Sequence, residues 1–220
     1  MEVFFRTKEE SNLAREAEFL RLPDGDRLYA FLRLMTTSGF LPTKIENNHH
    51  ENNLEILLDR TMDNWNEEIL NFVRLASKHG VRMILVGGGA VNFHGYQRHS
   101  ADVDFWIDTT EKNFEKLILV FREMMYDLRE FPSEVVEGWQ NISVKFSPGD
   151  LSLELITRFS LDKSFEEAYQ DAEIVFQTDD FPVVKWHVLS YDDLIDSKLK
   201  SQRAKDMLNI QELERIRRTK

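Results

Sequence analysis

The sequence predicts an α+β fold: a mixed, twisted sheet flanked by helices, with C-terminal helices and a largely helical N-terminal extension. Three observations predict it. Apolar residues recur at helical spacing in some stretches and alternate in others. A short apolar run, "VRMILV", leads into three glycines and then into a second alternating run, "DVDFWI". Further on, "ISVKF" and "LSLELI" flank "SPGD", the pattern of a β-hairpin.

Taken in order, residues 1–62 read as an extension. "AREAEFLRL" and "DRLYAFLRLM" suggest short amphipathic helices separated by "PDGD", and "KIENNHHENN" reads as a polar linker. Its "HHE" is a solvated loop, since adjacent histidines in an extended segment point apart. Residues 63–220 read as the main domain. Trp65, Ile69, Phe72, Val73 and Ala76 share one helical face, with Asn64 and Glu67 as a cap and Gly80 as the stop. After the two strand runs, Thr110 opens a helix whose face carries Phe114, Leu117, Ile118 and Phe121. "FPVVKWHVL" is a further strand, Ser190 and Asp193 form a capping-box pattern, and a last helix carries Met207, Leu208 and Leu213.

Composition narrows the chemistry. The 220 residues include 16 phenylalanines and are 42% hydrophobic, enough for a core, while the longest apolar runs fall far short of the roughly 20 residues of a membrane span. With an acidic N-terminus that lacks a signal's basic-then-apolar order, the expected location is the cytoplasm, away from membranes. Zero cysteine removes disulfides, thiol nucleophiles and thiolate zinc sites, so a metal would need oxygen or imidazole ligands; oxygen points to a hard cation. A net charge of -11 disfavours indiscriminate nucleic-acid binding. From Ser197 to Lys220, however, eight Lys or Arg stand against three Asp or Glu, a local +5. That excess is either a solvated helix surface or a basic wall for a phosphorylated ligand.

The stretch "GGGAVNFHGYQRHSADVDFWID" holds the most chemistry. A strand ending at Gly87, Gly88 and Gly89 exposes backbone N–H groups that can cradle phosphate oxygens, although tight turns use glycine for steric reasons alone. A dinucleotide fingerprint is approached by Gly87, Gly89 and Asp108, but Asn92 stands at its third glycine and Gly95 interrupts the supporting helix. Asp102 and Asp104 lie at i and i+2 of a strand and project together, opposite Val103, Phe105 and Ile107. Carboxylates so close repel unless a cation lies between them. The ordinary alternative is a solvated acidic edge strand. Glu154, pointing away from Leu151, Leu153 and Leu155, would be a third carboxylate if its strand neighbours theirs; otherwise it is a lone residue on a solvated hairpin face.

These residues, in order, resemble the nucleotidyltransferase superfamily with the polymerase-beta-like fold, in particular the bacterial branch that includes transferase-type toxins of toxin-antitoxin pairs. Gly87, Gly88, Ala90, His94, Gly95, Arg98, Asp102 and Asp104 match its first block, with Ser100 where Thr is usual. A second block matches at Lys198, Arg203, Lys205, Asp206 and Leu213, so the likeness spans about residues 63 to 213. The resemblance implies two Mg²⁺ ions, with Mn²⁺ as a substitute, held by Asp102, Asp104 and Glu154 as the catalytic and metal-binding set. It also implies nucleotide binding by Gly87, Gly88, Arg98, Ser100, Lys198 and Lys205. Many relatives carry Asp where this chain has Glu154.

The expected activity is therefore transfer of a nucleoside monophosphate from an NTP to a hydroxyl of a small molecule, a protein or a tRNA end, with release of pyrophosphate. Two other readings stand beside it. One is a non-catalytic or regulatory protein on the same fold, such as a toxin-antitoxin component that binds a cognate antitoxin; the other is a dinucleotide-binding protein.

Overall fold

The computed structural model describes residues 17, 19–23, 26–27, 54–58, 65–98, 102–146, 152–177 and 184–219. The chain order is β1 (Leu54–Leu58), α1 (Trp65–His79), β2 (Met83–Leu85), α2 (Gly87–Phe93), β3 (Asp102–Ile107), α3 (Glu111–Glu123), α4 (Ser133–Val136), β4 (Ile142–Phe146), β5 (Ser152–Ile156), α5 (Phe165–Asp171), β6 (Glu173–Gln177), β7 (Val184–Val188), α6 (Tyr191–Ser201) and α7 (Ala204–Thr219). This is an α+β protein in which one mixed seven-stranded sheet has the order β1-β4-β5-β3-β2-β7-β6. Pairs β1/β4, β3/β5 and β2/β7 are parallel, whereas β2/β3, β4/β5 and β6/β7 are antiparallel. Among the described residues, no helix is long and apolar enough to cross a membrane.

The helical spacing in α1 has a physical outlet. Ile69, Phe72, Val73 and Ala76 are all buried, and the Phe72 ring lies 5.9 Å from Phe121 of α3. Gly80 ends α1 at φ +63°, a left-handed conformation that glycine adopts without penalty. Strand β3 is central, and its alternation is strict. Val103, Phe105 and Ile107 fill one face, while Trp106, on the face of Asp102 and Asp104, lies under Phe159 and Phe165. The two aspartates thus stand just beyond an apolar cover.

Several elements depart from what the sequence suggests. The glycines do not form an open turn but the first turn of α2, seven residues long. Leu54–Leu58, inside the stretch read as an extension, supply one of the two edge strands of the sheet. Phe19 and Arg27 are buried as well, and Leu20 closes on Gly95, where an added Cβ would lie 2.9 Å from its Cδ2. Thr110 occupies the cap position of α3 without a side-chain bond; Asp108 instead accepts its N–H at 3.1 Å. Ser190 does cap α6 by accepting the Asp193 N–H, whereas the Asp193 carboxylate turns away to Lys163 at 2.7 Å. In α7, Met207 and Leu208 are exposed, and the inward face is Asp206, Asn209, Ile210, Leu213 and Ile216. The cap residue Asn64 and the "HHE" loop lie outside the described residues.

Candidate active site

The sheet register brings the acidic residues together. In the parallel β3/β5 pair, Asp104 stands opposite Glu154 and Asp102 opposite Ser152, so Glu154 and both aspartates share a sheet face. Asp104 also meets α2 end-on. It accepts a hydrogen bond from the Gly88 backbone, and its Oδ2 occupies the space where a Cβ on Gly87 would be, 2.0 Å from that position. With Gly87 at φ +57°, both the backbone conformation and the close approach require glycine. The Gly88 donor is therefore turned toward Asp104 in this arrangement.

Asp104 is strongly perturbed upward. Burial raises its pKa first, the charge of Asp102 raises it further, and Lys198, the Gly88 bond and Arg98 oppose the rise only in part; the result is a carboxyl pushed up to about 6. Two carboxylates held together with too little positive charge are the chemistry into which a divalent cation fits, with phosphate oxygens or water completing the shell. Asp102 and Asp104 thus fit Mg²⁺. Glu154 is in register with them, but both its carboxylate oxygens accept from Ser143 Oγ at 2.7 Å, across the antiparallel β4/β5 pair. Among the described residues, no three carboxylate or imidazole groups converge closely enough to hold a metal ion.

The cations come from the loop after α2 and from α6. Lys198, nearly buried, donates to Asp206 at 2.7 Å, and burial lowers its pKa while that bond partly restores it. Asp206, fully buried, also accepts from Ser201 Oγ at 2.5 Å, from Arg203 Nε at 2.7 Å and from Asn209 Nδ2 at 3.4 Å. Burial opposes its ionisation, but the bonds from Lys198 and Ser201 and the Lys198 charge hold its carboxyl well below the usual range. A buried ion pair so hydrogen-bonded stays ionised and fixes both partners. Arg98 Nη1 approaches Asn209 Oδ1 at 3.5 Å. Lys205 is exposed and makes no ion pair with a described residue, and Ser100 lies outside the described residues.

One residue braces this assembly. His94 Nε2 lies 2.8 Å from the Leu189 carbonyl, which can only accept, so the ring carries its proton on Nε2. Its ring also meets Tyr191, the first residue of α6, edge-on at 5.6 Å. His94 thereby ties the end of α2 to the helix that bears Lys198. Asp108 stays out of the cluster: it is buried against Arg82 at 3.0 Å.

No family model, curated protein or solved structure matches this chain. The site must therefore be judged on its own geometry. That geometry disfavours the dinucleotide reading, because β2 and β3 run antiparallel on either side of α2, whereas the fingerprint belongs to a parallel βαβ crossover. The residues that sequence reasoning missed are Asn92, Ser143, Ser201 and Asn209. All four are small polar residues whose meaning lies in the particular partners they bond, which residue type and spacing do not reveal.

Proposed function

We propose that the chain is a metal-dependent nucleotidyltransferase that moves a nucleoside monophosphate from an NTP to a hydroxyl acceptor. The observation that carries this reading is the β3/β5 register, which sets Glu154 beside Asp104 while Asp104 packs on Gly87 and Gly88. What supports it further is the order of parts along the chain: glycines after one strand, the aspartate pair on its antiparallel neighbour, a further carboxylate on the later strand β5, and Lys198 on a late helix.

Asp102 and Asp104 would hold Mg²⁺, with Glu154 joining them once it leaves Ser143. Bound there, the metal would supply Lewis-acid charge to the phosphates and to the acceptor hydroxyl. Lys198 and Arg98 add positive charge on the side of the pair that faces α6 and α7, where negative charge develops on the leaving pyrophosphate. Asp206 keeps Lys198 charged in spite of its burial.

A melting assay tests the reading. The wild type is expected to gain stability with Mg²⁺ and NTP together, and the variants Asp102→Ala and Asp104→Ala to lose that gain. Melting that is indifferent to every metal and nucleotide combination would leave the binding-only reading as the better one. Labelled NTP incubated with cell extract then identifies the acceptor by the fraction that takes up label.

A further inference from the structure

We propose that Asn92 is a positioning residue for nucleotide binding: its carboxamide fixes the backbone of Arg98 and so sets where the Arg98 guanidinium stands for the phosphates. The inference rests on the transferase reading above and adds to it a residue with no part in the metal or cation set.

Asn92 is completely buried on α2. Its Nδ2 donates to the carbonyl of Gly88 at 3.0 Å and to the carbonyl of Arg98 at 2.9 Å, and its Oδ1 accepts the Arg98 N–H at 3.0 Å. The amide orientation follows from its partners, since carbonyls only accept and a backbone N–H only donates. Arg98 lies after Gly95, outside any helix or strand, so Asn92 gives its N–H and C=O the pair of bonds that a neighbouring strand would otherwise give. A polar side chain in that position is costly to bury unless each bond is made, and here the two donors and the acceptor are all engaged.

The clasp has a direction. It starts at Gly88, whose backbone bonds Asp104, and ends at Arg98, four residues before Asp102. From there Arg98 leads to Asn209, Asn209 to Asp206, and Asp206 to Lys198. One hydrogen-bonded chain thus links the glycine helix to both cations, and Asn92 is its α2 end. An isolated structural asparagine would need no such continuation.

A double-mutant cycle tests the proposal, using wild type, Asn92→Ala, Arg98→Ala and the double variant, with calorimetric titration of ATP, GTP, CTP and UTP in Mg²⁺. Asn92→Ala is expected to weaken binding about tenfold, and the double variant to bind no more weakly than Arg98→Ala alone. Amide exchange at Arg98 should lose its protection in Asn92→Ala. Wild-type affinity in Asn92→Ala, or losses that multiply in the double variant, would overturn the inference while leaving the transferase reading intact. A wild type that binds none of the four nucleotides with Mg²⁺ would overturn both. Should Asn92→Ala fail to fold, Asn92→Ser, which keeps one hydroxyl for the clasp, takes its place in the same cycle.

Discussion

Gly87→Ala is expected to abolish the joint response to Mg²⁺ and NTP while leaving a folded protein. Two costs coincide at this position. The backbone sits at φ +57°, where a side chain costs on the order of 1–2 kcal/mol. The new Cβ would also fall 2.0 Å from Asp104 Oδ2, far inside contact distance, so Asp104 must move. The carboxylate can swing only by giving up the Gly88 bond and its alignment with Asp102, so the strain is relieved at the expense of the metal pair. Gly89→Ala provides the control. There the Cβ meets Leu85 Cδ1 at 2.8 Å, an overpacking cost of about 1–3 kcal/mol, offset in part by the better helix propensity of alanine, and the carboxylates are untouched. Melting curves with and without Mg²⁺ and NTP separate the two: Gly89→Ala should shift the baseline and keep the response. In the background of Asp104→Ala, the stability cost of Gly87→Ala should shrink to its backbone part and the residual 3.2 Å contact with the Cβ at position 104. A Gly87→Ala protein with the wild-type response would show that Asp104 does not need its place on the glycine helix, and would remove the main support for the site as drawn.

That close approach explains why some of the site was legible in the sequence and some was not. The glycines and the i, i+2 aspartates are local patterns, and strand periodicity alone puts both carboxylates on one face. Strand adjacency is not local: Glu154 stands opposite Asp104 only because β5 inserts beside β3 while β4 lies outside it, a sheet order that the hairpin pattern does not dictate. The Ser143 hydroxyl that holds Glu154 comes from the β4/β5 hairpin itself, whose existence the sequence shows but whose cross-strand partner for Glu154 it does not. In α7 the apolar residues mislead. Met207 and Leu208 suggest a face that the structure exposes, because the helix turns Asp206 and Asn209 inward to meet Lys198 and Arg98. A buried polar network leaves no hydrophobic trace. Strand β6 is hidden for the opposite reason: it is an edge strand whose Ile174 and Phe176 face solvent, so its apolar pattern marks the wrong side. Asn92 reads as a flaw in a dinucleotide fingerprint until its partner Arg98 is known.

Ionisation of Asp104 is expected to cost the metal-free protein stability as pH rises through about 6, and Mg²⁺ to offset that cost. Asp104 carries a carboxyl raised from 3.8 to about 6, first by burial and then by Asp102. A carboxyl raised in the folded state favours folding fully below its unfolded value, near pH 4, and loses that contribution as pH climbs through 6. A rise from 3.8 to about 6 corresponds to about 3 kcal/mol as an upper figure, reduced by whatever solvent reaches the pair. The wild-type curve alone would conceal it. His187, stacked on Tyr169 at 4.0 Å, is lowered to about 4 by burial, with the charges of Lys185 and Arg82 adding to the effect. A histidine lowered in this way loses stability as pH falls from its unfolded value near 6.5 toward 4, the reverse trend in the same window. Comparing wild type with Asp104→Asn cancels the histidine, which both proteins share. Without metal, Asp104→Asn should gain on the wild type steadily between pH 4 and 6 and level off above. With saturating Mg²⁺ the gap should close or reverse above pH 6, because the cation binds the ionised pair and returns the lost free energy. A difference curve that stays flat from pH 4 to 7 in both conditions would mean that the pair is already neutralised within the fold, and that Asp102 and Asp104 have no call on a metal ion.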